Sequence, residues 1–400
     1  MKRVVVLMLR LNSTRNAVLA GTTLVCATLG AAELERGSAR AEVTRPASFP
    51  HRIWAANDFE TRAPDYAWFG EGDSNNIPRY PGNQTALRGS LPAGGGRFTT
   101  GMNPVPGPRM GRENFLYLRY FLTGTTEAVF QYFSLTSEDN NHIKVSGLTQ
   151  KNWSELTLNF TRDGRRNDGT AGIPFKEGER MDDLKISPGE MGEKDDVNLI
   201  IDDAILFAND PKLPPEPEPF PRRVIHLAAF DTGPKEKYWP GDFEIIDDDN
   251  NRESLGLAGG TSSASPRKKL PPDSYWRAAR AVPRKDGQGK LVSLPINPVK
   301  PVGAQTKLRF RYHLTGITTM TVQIFDATVM DNRHIELRDL KTGSWQTVYL
   351  DFTRDSRRND GSKDRFEAGN LVDDILFFVG KDAAEPIQLL VDEVILFDAY

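Results

Sequence analysis

The sequence predicts an all-β chain: two tandem antiparallel β-sandwich domains, related by internal duplication and preceded by an N-terminal signal segment. Three observations carry that expectation. The stretch "FTRDGRRNDG" at 160–169 returns at 352–361 as "FTRDSRRNDG". The segments around both copies alternate apolar and polar residues with a period of two, the pattern of half-buried strands. Glycine (34) and proline (27) are plentiful, which fits short strands joined by turns and gives long helices little support.

The first 41 residues read as an export segment. Lys2, Arg3, Arg10 and Arg15 precede an apolar run over residues 17–32, and small residues follow, with cleavage expected after Ala32 or Ala41. The run is shorter than the roughly 20 residues that span a bilayer, so no stable membrane span is expected after processing. The expected location is extracellular or periplasmic. Cys26, the only cysteine, falls inside this segment. The mature chain therefore has no thiol nucleophile, thiolate metal site or disulfide.

The duplication sets the domain boundaries. Leu122–Gly169 aligns with Leu314–Gly361 without a gap, and 23 of the 48 positions are identical. The match resumes where "MDDLKI" (181–186) faces "VDDILF" (372–377) and "LIIDDAILF" (199–207) faces "LLVDEVILF" (389–397). Between the copies runs "NDPKLPPEPEPFP" (209–221), whose prolines favour an extended, semi-rigid spacer. Domain one is expected at 47–210, the linker at 211–218 and domain two at 219–400.

Within domain one, "LYLRYFL" (116–122), "AVFQYFSL" (128–135), "HIKVSGL" (142–148) and "WSELTLNF" (153–160) read as strands, and each has its counterpart in domain two. With the runs ending at Phe207 and Phe397 and strands in the less regular first halves, eight to ten strands per domain are expected. Two half-buried sheets must cover their apolar faces against each other, which makes a sandwich. Trp153 and Trp345 each open a patterned strand and are assigned to the core or its rim.

Charge is nearly balanced, 51 Lys+Arg against 54 Asp+Glu, so no global field points to nucleic acid or an anionic membrane. No nucleophile elbow, zinc-binding His pair or phosphate-cradling Gly loop occurs. Two polar clusters are duplicated. "RRNDG" follows a strand and reads as a loop over one end of the sandwich. Its arginines either pair with carboxylates such as Asp163, Asp168 and Asp182–Asp183, or Arg165, Arg166 and Asn167, with Arg357, Arg358 and Asn359, form a platform for an anionic or hydroxyl-rich glycan. The structural reading is favoured. In "EDNNHI" (138–143) and "MDNRHI" (330–335), Asp-Asn suits a turn, while His142 and His334 are the acid/base candidates should the protein be an enzyme.

The first halves of the domains have diverged most and hold aromatics outside any clean strand: Tyr66, Trp68, Phe69 and Tyr80 in one, Tyr238, Trp239, Tyr275 and Trp276 in the other. Flat aromatic faces beside polar groups suit sugar rings, and equally anchor loops.

The domain ends carry a resemblance. Domain one has "ANDFETRAPDYAWFG" (56–70) and closes on "IDDAILF"; domain two has "AAFDTGPKEKYWPG" (228–241) and closes on "VDEVILF". This resembles the jelly-roll carbohydrate-binding modules of secreted polysaccharide-degrading systems, although no Glu directly follows Asp231. The resemblance implies a polysaccharide or glycan partner. It also implies a structural calcium ion joining first strand to last, with Asp58, Glu60 and Asp202 as ligands in domain one and Asp231 and Asp392 in domain two. Without an ion, Asp202–Asp203 and Asp392–Glu393 would alternate across an edge strand, one solvated and one bonded to a backbone N–H. The leading expectation is a secreted, non-catalytic polysaccharide-binding protein that gains avidity from its tandem domains. The alternatives are a polysaccharide lyase or glycoside hydrolase on a jelly-roll scaffold, and an adhesive cell-surface protein.

Overall fold

The computed structural model describes residues 38–40, 45–60, 68–73, 83–89, 99–102, 110–166, 178–189, 197–231, 235–247, 277–362, 364–380 and 386–399. The expected tandem antiparallel sandwiches form. In domain one, one sheet runs Ser154–Asn159, Glu113–Thr123, Asn198–Asn209, Ala86–Arg88 and Glu71–Asp73, with Arg52–Asn57 also on Asn198–Asn209. Domain two repeats it as Gln346–Asp351, Thr306–Thr315, Gln388–Asp398, Arg277–Arg280 and Glu244–Asp247, with Arg223–Ala228 on Gln388–Asp398. The facing sheets centre on Asp139–Ser146, Ala128–Ser134 and Met181–Pro188 in one copy, and on Asp331–Leu337, Met320–Asp326 and Leu371–Val379 in the other. The described residues hold more strands than the eight to ten expected, because two- to four-residue strands fill the irregular first halves. One of them, Ser38–Arg40, lies parallel to Asp139–Ser146, inside the segment that cleavage after Ala41 would remove.

Pairing registers are duplicated along with the residues. Ser154 faces Tyr120 as Gln346 faces Tyr312, and Gln131 faces His142 as Gln323 faces His334. Alternation then sends Phe130, Ile143, Leu184 and Leu206 into one core and Val322, Ile324, Phe377 and Leu396 into the other.

The paired acids of the closing strands are not at an edge. Asn198–Asn209 and Gln388–Asp398 lie centrally, and each breaks register at its Asp-Asp or Asp-Glu. Asp203 (φ 48°) and Glu393 (φ 46°) adopt left-handed backbone, and the preceding Asp202 and Asp392 carboxylates accept their N–H groups at 2.8 and 2.7 Å. These are β-bulges closed by a local side-chain bond. All four acids are buried, so the solvated partner expected from the sequence does not exist.

The domains are not beads on a spacer. Phe49, Ile53, Tyr117, Ile205 and Phe207 of domain one form one buried cluster with Phe220, Val224, Ile395 and Phe397. The Phe49 ring sits 4.9 Å from Phe397, and Phe220, at the start of domain two, sits 5.0 Å from Tyr117. Phe49 N–H donates to the Glu218 carbonyl and Phe220 N–H to that of Ala47, while Glu216 and Glu218 pair with Arg309 and Lys307. Apolar burial on this scale fixes the two copies against each other.

Candidate functional site

The repeated arginine stretch is folded differently from a loop. Phe160–Asp163 and Phe352–Asp355 form single helical turns, capped by Asn159 and Asp351. Arg165–Arg166 and Arg357–Arg358 then add two-residue strands beside His142 and His334. Arg166 is 4% exposed and donates to the Glu179 carboxylate and the Ser137 hydroxyl. Arg165 donates to the carbonyls of Arg162 (3.0 Å) and Gly164 (2.8 Å), and Arg162 pairs with Asp163. In domain two, Arg358 reaches Asp331 (3.2 Å), Asp360 (2.6 Å) and Asp364 (3.1 Å), leaving Arg357 and Asn359 exposed. Glu179, not one of the acids named from the sequence, is the main partner in domain one. Asn167 lies outside the described residues, as do Tyr66, Tyr80 and Trp276.

The histidines are not brought to a common site. His142 is buried and His334 half-buried, on the two separate sheets. Asp139 and Asp331 each accept the N–H of the following Asn at 2.8 Å, the role of a turn residue.

The donor set at the strand ends does not fit calcium. Asp202 accepts from Arg119 (2.8 Å) and Asn83 (3.0 Å), and Arg311 lies 3.7 Å from Asp392. Asp58 accepts from Lys300 of domain two at 2.9 Å, while Asp231 is met by Arg52 of domain one. Each domain thus neutralises an acid of the other. Glu60 takes the N–H of Gln84 at 3.0 Å, and burial, with the Asp58 charge adding, pushes it up to about 7. Calcium needs six to eight oxygens, and among the described residues no three His, Cys, Asp or Glu side chains are gathered to hold an ion.

What the structure does assemble is a cleft between the domains, of about 240 Å³. Trp54, Trp68 and Met102 line it from domain one, and His226, Phe230, Tyr238, Trp239, Leu294 and Lys300 from domain two. Its walls include residues 54–56 and 224–228, on the first strands of the two copies. Trp68 and Trp239 are equivalent residues. Each packs on a phenylalanine in left-handed backbone: Phe59 (φ 53°) at 5.0 Å and Phe230 (φ 56°) at 5.6 Å. By the same correspondence Asp231 stands where Glu60 stands, one residue beyond the phenylalanine. Of the aromatics expected to bind, Trp68, Tyr238 and Trp239 are therefore brought to one place. Trp54 and His226 belong to no motif or repeat and were not legible in the sequence.

Two polar atoms on this wall lack partners among the described residues. Trp54, 8% exposed, has its Nε1 buried without a hydrogen-bond acceptor among the described residues, and the half-buried His226 has its Nε2 atom likewise buried and unpaired among them. Buried polar groups in native proteins are normally satisfied by protein, water or ligand, so the two nitrogens are available to a hydrogen-bonding group that enters the cleft. Burial, reinforced by the Lys300 charge, pulls His226 down to about 4, which leaves the ring neutral near pH 7. Pro240, Asn297 and Pro298 are exposed at the rim.

No protein-family profile matches the chain, and no curated protein matches it. Among solved structures it is similar to the N-terminal CBM22-1-CBM22-2 tandem domain of Xyn10C from Paenibacillus barcinonensis (11% identity, 89% of this chain and 99% of that one, TM-score 0.28). It is also similar to the tandem CBM51 modules of Sp3GH98 from Streptococcus pneumoniae (7% identity, 79% and 84%, TM-score 0.19). A third is the M60 catalytic domain with two CBM51 domains of ZmpB from Clostridium perfringens (8% identity, 86% and 39%, TM-score 0.18). Each of these three structures contains two carbohydrate-binding modules.

Proposed function

We propose that this is a secreted polysaccharide-binding protein that works without catalysis, and that the cleft between the sandwiches is its site. One observation carries the reading: Trp68 and Trp239, equivalent residues of the two copies, converge on one cleft whose wall also holds the unpartnered Trp54 Nε1 and His226 Nε2. A sugar ring offers an apolar face for the aromatics and hydroxyls for the two nitrogens. Glycoside hydrolysis ordinarily requires a pair of carboxylates, and no Asp or Glu is among the described lining residues, which supports binding over turnover. The basic, apolar and small-residue order of the N-terminus supports export. Among the described residues no helix is long and apolar enough to cross a membrane.

The test is intrinsic tryptophan fluorescence of the mature chain titrated with a panel of soluble polysaccharides. At least one should shift the emission saturably, and Trp239→Ala should weaken that binding about tenfold or more while the protein stays folded. A glycan that binds equally well to the variant would remove the cleft from the account. Sugar release by the wild-type protein would replace binding with catalysis.

A further inference from the structure

We infer that the cleft accepts a single uncharged sugar unit at the end of a glycan chain, an inference that rests on the cleft being the glycan site. The first ground is size. A space of about 240 Å³ is smaller than the roughly 300–1,000 Å³ of pockets that enclose a drug-sized molecule. A space of this size encloses a sugar ring, and further units of a chain would lie outside it.

The second ground is charge. Lys300, His226 and Tyr238 are the ionisable side chains among the described lining residues. The Lys300 ammonium is buried against Asp58 at 2.9 Å, so its charge is already matched. The described lining residues therefore offer a uronate or sulfate no free cation, and an anion entering among them would lose water without gaining a counter-charge. Uncharged hydroxyls face no such penalty. Trp54 Nε1 can donate to one, and His226 Nε2 can donate or accept according to its tautomer. The exposed arginines of the repeated stretch are not among the cleft's lining residues, so they do not alter this balance.

The third ground is that one cleft serves both copies. Trp68 and Trp239 reach the same space from different domains, which are fixed together by a shared apolar cluster and by the Lys300–Asp58 and Arg52–Asp231 pairs. The chain then offers one site, not two points of attachment along a polymer.

The test uses the intact mature chain in titration calorimetry and tryptophan fluorescence. The probes are neutral cello- and xylo-oligosaccharides from disaccharide to hexasaccharide, the same sugars chemically blocked at either end, and oligogalacturonides. Affinity for the neutral series should level off by the disaccharide, and a block at one end should cost about tenfold or more. Raising salt from about 0.05 to 0.5 M should change that affinity by less than about twofold. Trp54→Phe, which keeps a ring and removes the donor, should weaken binding by roughly fivefold to tenfold.

Affinity that climbs steadily to the hexasaccharide, or tighter salt-sensitive binding of oligogalacturonides, would overturn the inference and leave the cleft a glycan site. Fluorescence indifferent to every glycan would overturn both, and a fatty acid that alone quenches the tryptophans would do the same. Unchanged binding by Trp54→Phe would overturn the role of its Nε1.

Discussion

Arg166 and Arg358 occupy matching places in the duplicated stretch, yet their surroundings differ. Arg166 is buried against Glu179, whereas Arg358 shares three carboxylates of which two are well exposed. Removing one member of a buried pair strands the other, so Arg166→Gln should lower stability by about 3–5 kcal/mol in thermal or urea unfolding. Arg358→Gln should shift the melting temperature far less. Equal, small shifts from both would mean that Arg166 is not held as the structure shows. Two other side chains make stability depend on pH in opposite directions. Glu60 rises from 4.5 to about 7 on folding, so the folded state holds its proton more tightly and stability falls as pH rises through 7. His226 drops from 6.5 to about 4, so its contribution is present above 6.5 and is lost as pH falls through 4. Melting curves should therefore show the wild type losing ground to Glu60→Gln between about pH 5 and 8. A gap that stays constant across that range would contradict the placement of Glu60.

At the scale of elements, the regular strands were legible because period-two alternation is a local property. Ala128–Ser134 and Met320–Asp326 are visible in their own residues, and the one-residue precision of the 192-residue offset survives in the pairing registers. The bulges were not legible. Asp202–Asp203 looks the same at an edge or a centre until Arg119, 83 residues earlier, is known to pair across the sheet. The turn of helix at Phe160–Asp163 hid for another reason: its cap, Asn159, also ends a convincing strand. Calcium was an implication of the resemblance to jelly-roll carbohydrate-binding modules, placed on the acids near the first and last strands. The structure fills those places with Arg119, Arg311, Lys300 and Arg52, so excess chelator should leave the melting temperature unchanged. A clear drop would show an ion bound to the native state.

At the scale of the whole molecule, duplication suggested two sites acting together by avidity, and the structure suggests one site made by both copies. Nothing in either repeat alone shows this. Trp68 and Trp239 stand outside the gap-free alignment, and the contacts that bring them together join residues 179 and 242 positions apart, Arg52 with Asp231 and Lys300 with Asp58. Such pairs carry no local pattern. The most direct test of the account is the stoichiometry of the best-binding oligosaccharide in titration calorimetry. The account predicts one molecule per chain, with binding weakened by Trp54→Phe in domain one and by Trp239→Ala in domain two. Two molecules per chain, with each substitution abolishing one and sparing the other, would contradict it.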